Sequence, residues 1–216
     1  AGLELPESAE ELSKTDKTTE LTDQDAMVHV TICPGYTEGG DGLKNLEAAL
    51  SSGNCDTLMS AFHVSTYLDK ISAKEKEQDS NIMVGAIDSF SEQNFEIFKE
   101  KDAFGNAPID YVRGKYASMA GPAFAMIYNA ITGSADAVEE NGEAVRLYQD
   151  LWTAKSEEEY IELYGYATGI YENAYSCDDL MEVIRQFNED TDPQSFKELT
   201  EASDLESVKE RIFSDF

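Results

Sequence analysis

The sequence has few basic residues. It contains 16 Lys and Arg against 44 Asp and Glu, which gives a formal net charge of −28 at pH 7. A surface of this charge repels the phosphates of DNA, of RNA and of anionic lipids. We therefore expect a protein that binds no nucleic acid and does not adsorb to a membrane.

Long apolar runs are also missing. No run of about 18 apolar residues could span a bilayer, so we expect no membrane insertion. The sequence does not start with a basic segment followed by an apolar one, so we expect no signal peptide in it. If the protein is exported, the sequence then corresponds to a mature or trimmed form.

Cysteine is scarce. The three cysteines, Cys33, Cys55 and Cys177, include no CxxC pair. This number and spacing match neither a disulfide framework nor a zinc site. Cys33 and Cys55 fall on neighbouring predicted strands, so a disulfide between them is one alternative. Buried thiols are the other alternative and the one that we favour.

Catalytic and metal-binding motifs are few. His29 and His63 belong to no His-Glu-x-x-His or Cys-His pattern, and Gly-x-Ser-x-Gly does not occur. The acidic stretch 188–192 lacks the Gly and Glu of an EF-hand, and the glycine loop 39–42 lacks both GxGxxG and the P-loop lysine. We therefore expect a binding protein without catalytic residues, metal or cofactor.

The middle of the chain alternates four times between a predicted strand and a predicted helix. β-branched and apolar runs predict strands, and apolar residues three and four apart predict helices. The strands cover residues 28–33, 57–62, 82–87 and 109–113, and the helices 43–50, 64–71, 91–101 and 117–131. Such alternation is typical of parallel strands joined by crossover helices. We therefore expect an α/β fold with a three-layer, mostly parallel sheet.

The two ends of the chain differ from this middle part. Residues 1–26 are acidic, and we interpret them as a linker or the remnant of a preceding lobe. Residues 27–143 then form an α/β ligand-binding lobe, and 144–216 a helical C-terminal extension that begins with a strand, 144–152. Its aromatic residues indicate packing onto the sheet, with a sugar-stacking surface or lobe interface as the alternative. They are Tyr148, Trp152, Tyr160, Tyr164, Tyr166, Tyr171 and Tyr175.

The segment 81–133 carries a resemblance to a known family. The strand 82–87 leads into Asp88 within Gly85-Ala86-Ile87-Asp88, and a helix, a short strand and a Gly/Ala/Tyr-rich helix follow. This order resembles the C-terminal lobe of type I periplasmic sugar-binding proteins, the receptors of ABC importers. In that family a strand ends in a Gly-x-Asp-like motif whose Asp contacts sugar hydroxyls.

The resemblance implies a Rossmann-like lobe that binds a sugar or related polar solute without chemistry. It implies ABC permease subunits as partners, and a second lobe absent from this chain, because complete receptors close two lobes around the ligand. It also implies an extracytoplasmic place, in the periplasm or at the cell surface, with lipoprotein-type anchoring as an option for the full-length precursor.

Two candidate ligand residues follow the second and third predicted strands. The resemblance assigns Asp88 to sugar hydroxyls, and ligands of open α/β sheets bind at such strand ends. A helix N-cap or turn acid is the alternative for Asp88. His63 stands where relatives carry an Ala-Asn-Asp-like turn, and a capping or packing histidine is its alternative.

The remaining candidates lie near the fourth strand and in the first loop. Relatives carry Gln-Asn-Pro-Tyr where this chain has Arg113, Gly114, Lys115 and Tyr116, so the contact there becomes cationic or aromatic. Such groups suit sugars, because charged groups bond hydroxyls and aromatic faces cover C–H surfaces. Surface charges are the alternative for the two cations. Tyr36 belongs to a loop that borders the cleft in relatives.

Two other function classes stay open. A flavodoxin- or receiver-like regulatory or enzymatic domain could use Asp88 as its phosphoacceptor, although a receiver also needs acids after its first strand. An acidic protein-interaction module could use the helical tail instead. We expect Asp88, His63 and Arg113 on one rim of the sheet if the receptor interpretation is right.

Overall fold

The computed structural model describes most of the chain. The described residues are 14, 18–22, 29–35, 41–53, 55–169, 171 and 174–214. They form an α/β fold around a mixed parallel and antiparallel sheet, which confirms the expected α/β class but not the expected three layers. Among them, no helix combines the length and the apolar character that a membrane span requires.

Strands and helices alternate through the first part of the chain, and helices dominate the last part. The strands are β1 (Thr19–Thr22), β2 (His29–Ile32), β3 (Thr57–Ser60), β4 (Met83–Ser89), β5 (Tyr111–Lys115), β6 (Glu139–Glu140), β7 (Glu143–Ala144) and β8 (Trp152–Ala154). The α-helices are α1 (Asp41–Ser51), α2 (Leu68–Gln78), α3 (Glu92–Lys99), α4 (Gly121–Ile131), α5 (Glu157–Ala167), α6 (Cys177–Glu182), α7 (Pro193–Glu201) and α8 (Leu205–Ser214). Short 3-10 helices cover Ser65–Tyr67, Ala117–Ala120 and Ala135–Val138.

The central sheet has the strand order β3-β4-β5-β8. β3, β4 and β5 are parallel, as predicted for these three strands, and β8 is antiparallel to β5. The predicted strand 144–152 is wrong over most of its length, since β7 ends at Ala144 and β8 begins at Trp152. Between these two strands, Leu147 packs against a second apolar cluster, apart from the sheet.

The first predicted strand does not join this sheet. β2 pairs with β1 in an antiparallel hairpin, in which Leu21 lies opposite Val30. β1 falls inside the segment that we interpreted as a linker, and its Leu21 is buried. The β-branched composition of β2 predicts an extended backbone but not its partner, which explains the error.

The cysteines are thiols in this structure. Cys33 and Cys55 are half-buried and Cys177 is exposed. The Cys33 thiol donates to the carbonyl oxygen of Asn45, and the Cys55 thiol to that of Thr57. Burial raises the pKa of both Cys33 and Cys55, which disfavours the reactive thiolate. The neighbouring-strand premise of the disulfide alternative is wrong, because β2 is not beside β3.

The described helices that share the main core pack on one face of the sheet. Because β3, β4 and β5 lie in chain order, right-handed crossovers place α2 and α3 on the same face. Leu58 and Val84 line that face and share the main apolar core with residues of α1, α2, α3, α5 and α8. The opposite face, here called the open face, carries Met59, Met83 and Ile87, which are 62%, 53% and 38% exposed.

The helix α4 lies away from the sheet. Its buried Ala125 belongs to a second, smaller apolar core with Val138, Val183, Ile184 and Phe196. Asn129 fixes this contact, because its side-chain amide donates to the Val183 carbonyl at 2.8 Å. The fourth helix of the predicted alternation therefore packs on the C-terminal helices and not on the sheet.

Most of the C-terminal aromatic residues belong to the core, as we favoured. Trp152, Tyr160, Tyr166 and Tyr175 are buried in the same core as the covered face of the sheet. Tyr148 is the clearest exception, with 74% of its surface exposed. The extension thus supplies one wall of the main core.

A buried carboxylate lies on α2. Glu75 is 3% exposed, and its side chain accepts a hydrogen bond from the Ile82 N–H at 2.9 Å. Burial is the largest influence and raises the pKa of Glu75, and the charges of Asp102 and Asp110 act in the same direction. The bond from Ile82 acts in the opposite direction.

We expect Glu75→Gln to stabilise the protein at neutral pH, because the amide keeps an acceptor for Ile82 without a buried charge. Folding raises the pKa of Glu75 above its ordinary value of 4.5. The protonated side chain therefore contributes its full stability below pH 4.5, and that contribution is lost as the pH rises through the folded-state pKa. The gain should therefore be largest near neutral pH and disappear toward about pH 4. Thermal unfolding of both proteins across this pH range measures the difference.

The matched control is Glu77→Gln on the same helix, whose side chain is 70% exposed in an ion pair with Lys74. Exposed pairs contribute little, so we expect no gain from it at any pH. A gain at Glu75 that persists unchanged in acid would contradict the buried-charge explanation.

Candidate functional site

Asp88 is the next-to-last residue of β4, on the helix-covered face of the sheet. Its half-buried carboxylate accepts a hydrogen bond from the Ser89 N–H at 2.7 Å. The N-cap of α3 is Ser91, whose hydroxyl accepts from the Asn94 N–H, so the N-cap alternative for Asp88 is wrong. Burial raises the pKa of Tyr160, and the charge of Asp88 adds to this, which places the carboxylate near that ring.

Arg113 lies on the opposite face of the sheet from Asp88. The register pairs Ile87 with Arg113 and Asp88 with Gly114, and paired residues share a face while neighbours along a strand alternate. Arg113 is exposed and stands in the middle of β5, because that strand ends at Lys115 and not at Arg113 as predicted. The expected single rim with Asp88 and Arg113 is therefore wrong.

Tyr116 follows β5 but does not reach solvent. It is 4% exposed, and its ring stacks on Trp152 with centroids 4.1 Å apart. Burial raises its pKa, and Tyr175 and Ser203 lie beside its hydroxyl. Within the described residues, no hydrogen bond of ordinary geometry satisfies that hydroxyl. The ligand role that the resemblance implies for Tyr116 is thus replaced by a core role.

Three candidates remain at the carboxyl ends of the parallel strands, which we call the strand-end edge. His63 follows β3 and is half-buried, Asp88 lies near the end of β4, and Lys115 is the last residue of β5. Lys115 pairs with Ser89 in the ladder, so β4 and β5 end level with each other, and alternation along β5 puts position 115 on the face of Arg113, opposite that of Asp88. Tyr36 lies outside the described residues.

Arg113 lines a groove that the sequence did not predict. The groove has a volume of about 320 Å³ and contains one guanidinium, two carboxylates and a hydroxyl. Its lining consists of Arg113, Asp150, Leu151, Trp152, Thr153, Asp204 and Leu205. Hydrogen bonds from the Ser207 hydroxyl and N–H hold the pKa of Asp204 below its ordinary value, so its carboxylate stays charged at neutral pH.

This arrangement can hold a polyol. Carboxylates accept hydrogen bonds from hydroxyls, a guanidinium donates to them, and the leucine side chains offer apolar surface to C–H groups. No pattern in the sequence singles out Asp150 and Asp204 as site residues. Acidic residues are abundant in this chain, and these two come from segments far apart in it.

A second groove of about 370 Å³ lies on α6 and is lined by Asp178, Met181, Glu182, Phe187 and Asn188. In the part of the chain that the structure describes, no three His, Cys, Asp or Glu side chains form a group that could hold a metal ion. Comparisons of the chain with protein-family models, with curated proteins and with solved structures found no match.

Proposed function

We propose that this chain is one Rossmann-like lobe of a type I solute receptor, which binds a sugar or related polar solute outside the cytoplasm for an ABC importer. One observation carries the proposal: three consecutive parallel strands end at one edge, where His63, Asp88 and Lys115 lie. Ligands of open α/β sheets bind at such an edge. In the complete receptor a further helical layer covers the open face and gives the three-layer arrangement.

The proposed mechanism is capture without chemistry. The strand-end edge forms half of a cleft, and a second lobe supplies the other half. A ligand stabilises the closed form only by its higher affinity for that form, which then docks on the permease. A lone lobe makes half of the contacts, so we expect binding by this chain to be weak, with a Kd of about 1 mM.

The test is a thermal-shift screen with monosaccharides, oligosaccharides, polyols and nucleosides at about 10 mM, because only ligands that bind the native state raise Tm. We expect one class of sugar to raise Tm by about 1–3 °C. Asp88→Asn should abolish the rise while leaving the unliganded Tm nearly unchanged. Isothermal titration of the same pair of proteins confirms the difference.

Two further variants locate the ligand. Arg113→Gln removes the cation of the groove, and Asp178→Asn changes an exposed acid of the second groove as the control. A rise that Asp88→Asn keeps and Arg113→Gln loses would move the site to the groove. If no ligand raises Tm, the proposal that this chain alone has a working site would be wrong.

A further inference from the structure

The groove at Arg113 brings three charged side chains together beside β5, β8 and α8. Arg113 lies opposite Thr153 in the ladder of β5 and β8, and Asp150 lies in the segment that leads into β8. Asp204 directly precedes α8. None of the three candidates at the strand-end edge lines this groove, so the groove is a separate site that the proposed function does not use.

Hydrogen bonds within the protein hold the walls of the groove in place. The Asp150 N–H donates to the Ser203 hydroxyl at 2.8 Å, and the Trp152 indole N–H donates to the Ser203 carbonyl at 3.0 Å. These two bonds tie the segment before β8 to the turn before α8. The Asp204 carboxylate accepts hydrogen bonds from the N–H and the hydroxyl of Ser207, which fix its orientation. Groups that are already fixed lose little conformational entropy when a ligand binds.

The three charges of the groove do not neutralise one another. Among the described residues, Arg113, Asp150 and Asp204 form no ion pair with each other or with any other side chain. A guanidinium carries five N–H donors, and a carboxylate oxygen that already accepts one hydrogen bond can accept another. The groove therefore offers one binding point for an anionic group and two for a cationic group.

This combination favours a zwitterion over a ligand with one kind of charge. A simple anion bound to Arg113 would face two carboxylates and the net charge of −28. A simple cation would face the guanidinium, and a polyol would neutralise none of the three charges. An α-amino acid carries both charges on groups attached to one carbon. Its carboxylate can therefore bind the guanidinium in a bidentate manner while its ammonium donates to the aspartates.

The apolar lining and the size of the groove define the rest of the ligand. Leu151 and Leu205 line the groove beside the charged groups, and its volume is about 320 Å³. Ligand pockets begin at about 300 Å³, so this groove suits a single amino acid and not an oligosaccharide. We propose that the groove is a binding site for an α-amino acid with an aliphatic side chain.

The single tryptophan, Trp152, lines the groove and reports on its occupancy. In a proton–nitrogen NMR titration of the full chain with L-leucine, we expect the indole resonance to shift. The Kd should be about 1 mM, because the ion pairs stay partly exposed to water. No shift of this resonance at about 20 mM leucine, twenty times the expected Kd, would overturn the proposal.

Two analogues of leucine test the requirement for both charges. Isopentylamine lacks the carboxylate and isocaproate lacks the ammonium, while both keep the aliphatic side chain. Each should bind at least about fivefold more weakly than leucine. If either analogue binds as tightly as leucine, the groove recognises a single charge and the proposal is wrong. An equal shift with sorbitol would also overturn it, because the groove would then recognise hydroxyls.

Matched variants place the ligand. Arg113→Gln should weaken leucine binding about tenfold and Asp150→Asn about threefold, since each removes one charge from the groove. Arg146→Gln is the control, because Arg146 is also exposed but does not line the groove. Asp88→Asn should leave leucine binding unchanged, so failure of the sugar site and failure of this site are distinguishable. Binding that survives both groove variants and is lost in Asp88→Asn would overturn the proposal in favour of the strand-end edge.

Discussion

Tyr160→Ala should lower the free energy of unfolding by about 4 kcal/mol, the usual cost of removing a fully buried aromatic ring. Tyr160 has no exposed surface and is the largest fully buried side chain of the described residues. Its ring centroid lies 4.6 Å from that of Phe98, 5.2 Å from Phe90 and 6.1 Å from Phe95. Alanine would leave a cavity among rings that α3 and β4 hold in place.

The matched variant Tyr160→Phe separates the ring from its hydroxyl. That hydroxyl accepts a hydrogen bond from the Ser91 N–H and donates to the Ser91 carbonyl, both at 3.1 Å. Phenylalanine keeps the packing and loses these bonds, so we expect a cost of about 1 kcal/mol. Urea unfolding, followed by the fluorescence of the single tryptophan, Trp152, measures both variants.

The same experiment tests whether the predicted lobe, 27–143, and the predicted extension, 144–216, unfold separately. Trp152 and Tyr160 of the extension share a core with Val84 of the sheet. A single transition by fluorescence and by circular dichroism would mean that lobe and extension unfold together. Two transitions, with a cost of Tyr160→Ala below about 2 kcal/mol, would contradict the shared core.

Local signals in the sequence predicted the parallel strands and several helix starts. β3, β4 and β5 were predictable because apolar runs and turn residues lie within the strands and their flanks. Helix starts were predictable for the same reason, since a capping side chain bonds a backbone N–H only three residues away. At the start of the predicted helix 91–101, Ser91 thus accepts from the Asn94 N–H.

The partner of each strand and the register were not predictable in this way. The pairing of β2 with β1 depends on which partner buries Leu21, and no local pattern expresses that choice. The opposite faces of Asp88 and Arg113 follow from a register in which Asp88 pairs with Gly114. A shift of one residue along β5 would have placed both side chains on one face.

The sequence predicted the candidate residues at the strand ends, but not the burial of Tyr116 or the groove at Arg113. His63, Asp88 and Lys115 follow from strand positions, which are local. The burial of Tyr116 is different, because Tyr175 and Ser203, which lie beside its hydroxyl, come from the far end of the chain. The groove at Arg113 combines three distant segments for the same reason.

Gly114→Ala should cost about 2 kcal/mol, because an added methyl group would overlap a rigid side chain of the core. A β-carbon at Gly114 would meet the ring of Phe90, which is 5% exposed and cannot move without displacing its neighbours. Gly114 lies on the covered face, opposite Asp88 in the ladder. Chemical denaturation of the purified variant gives the free-energy difference.

Gly85→Ala is the matched control, because it adds the same methyl group to the neighbouring strand on the open face. A β-carbon there would meet the sulfur and terminal methyl of Met59, which is 62% exposed and free to rotate toward solvent. We therefore expect a cost below about 0.5 kcal/mol. Equal costs at the two glycines would contradict a sheet covered by helices on one face only. A large cost at Gly85 alone would indicate that another layer or another copy of the chain holds Met59 in place.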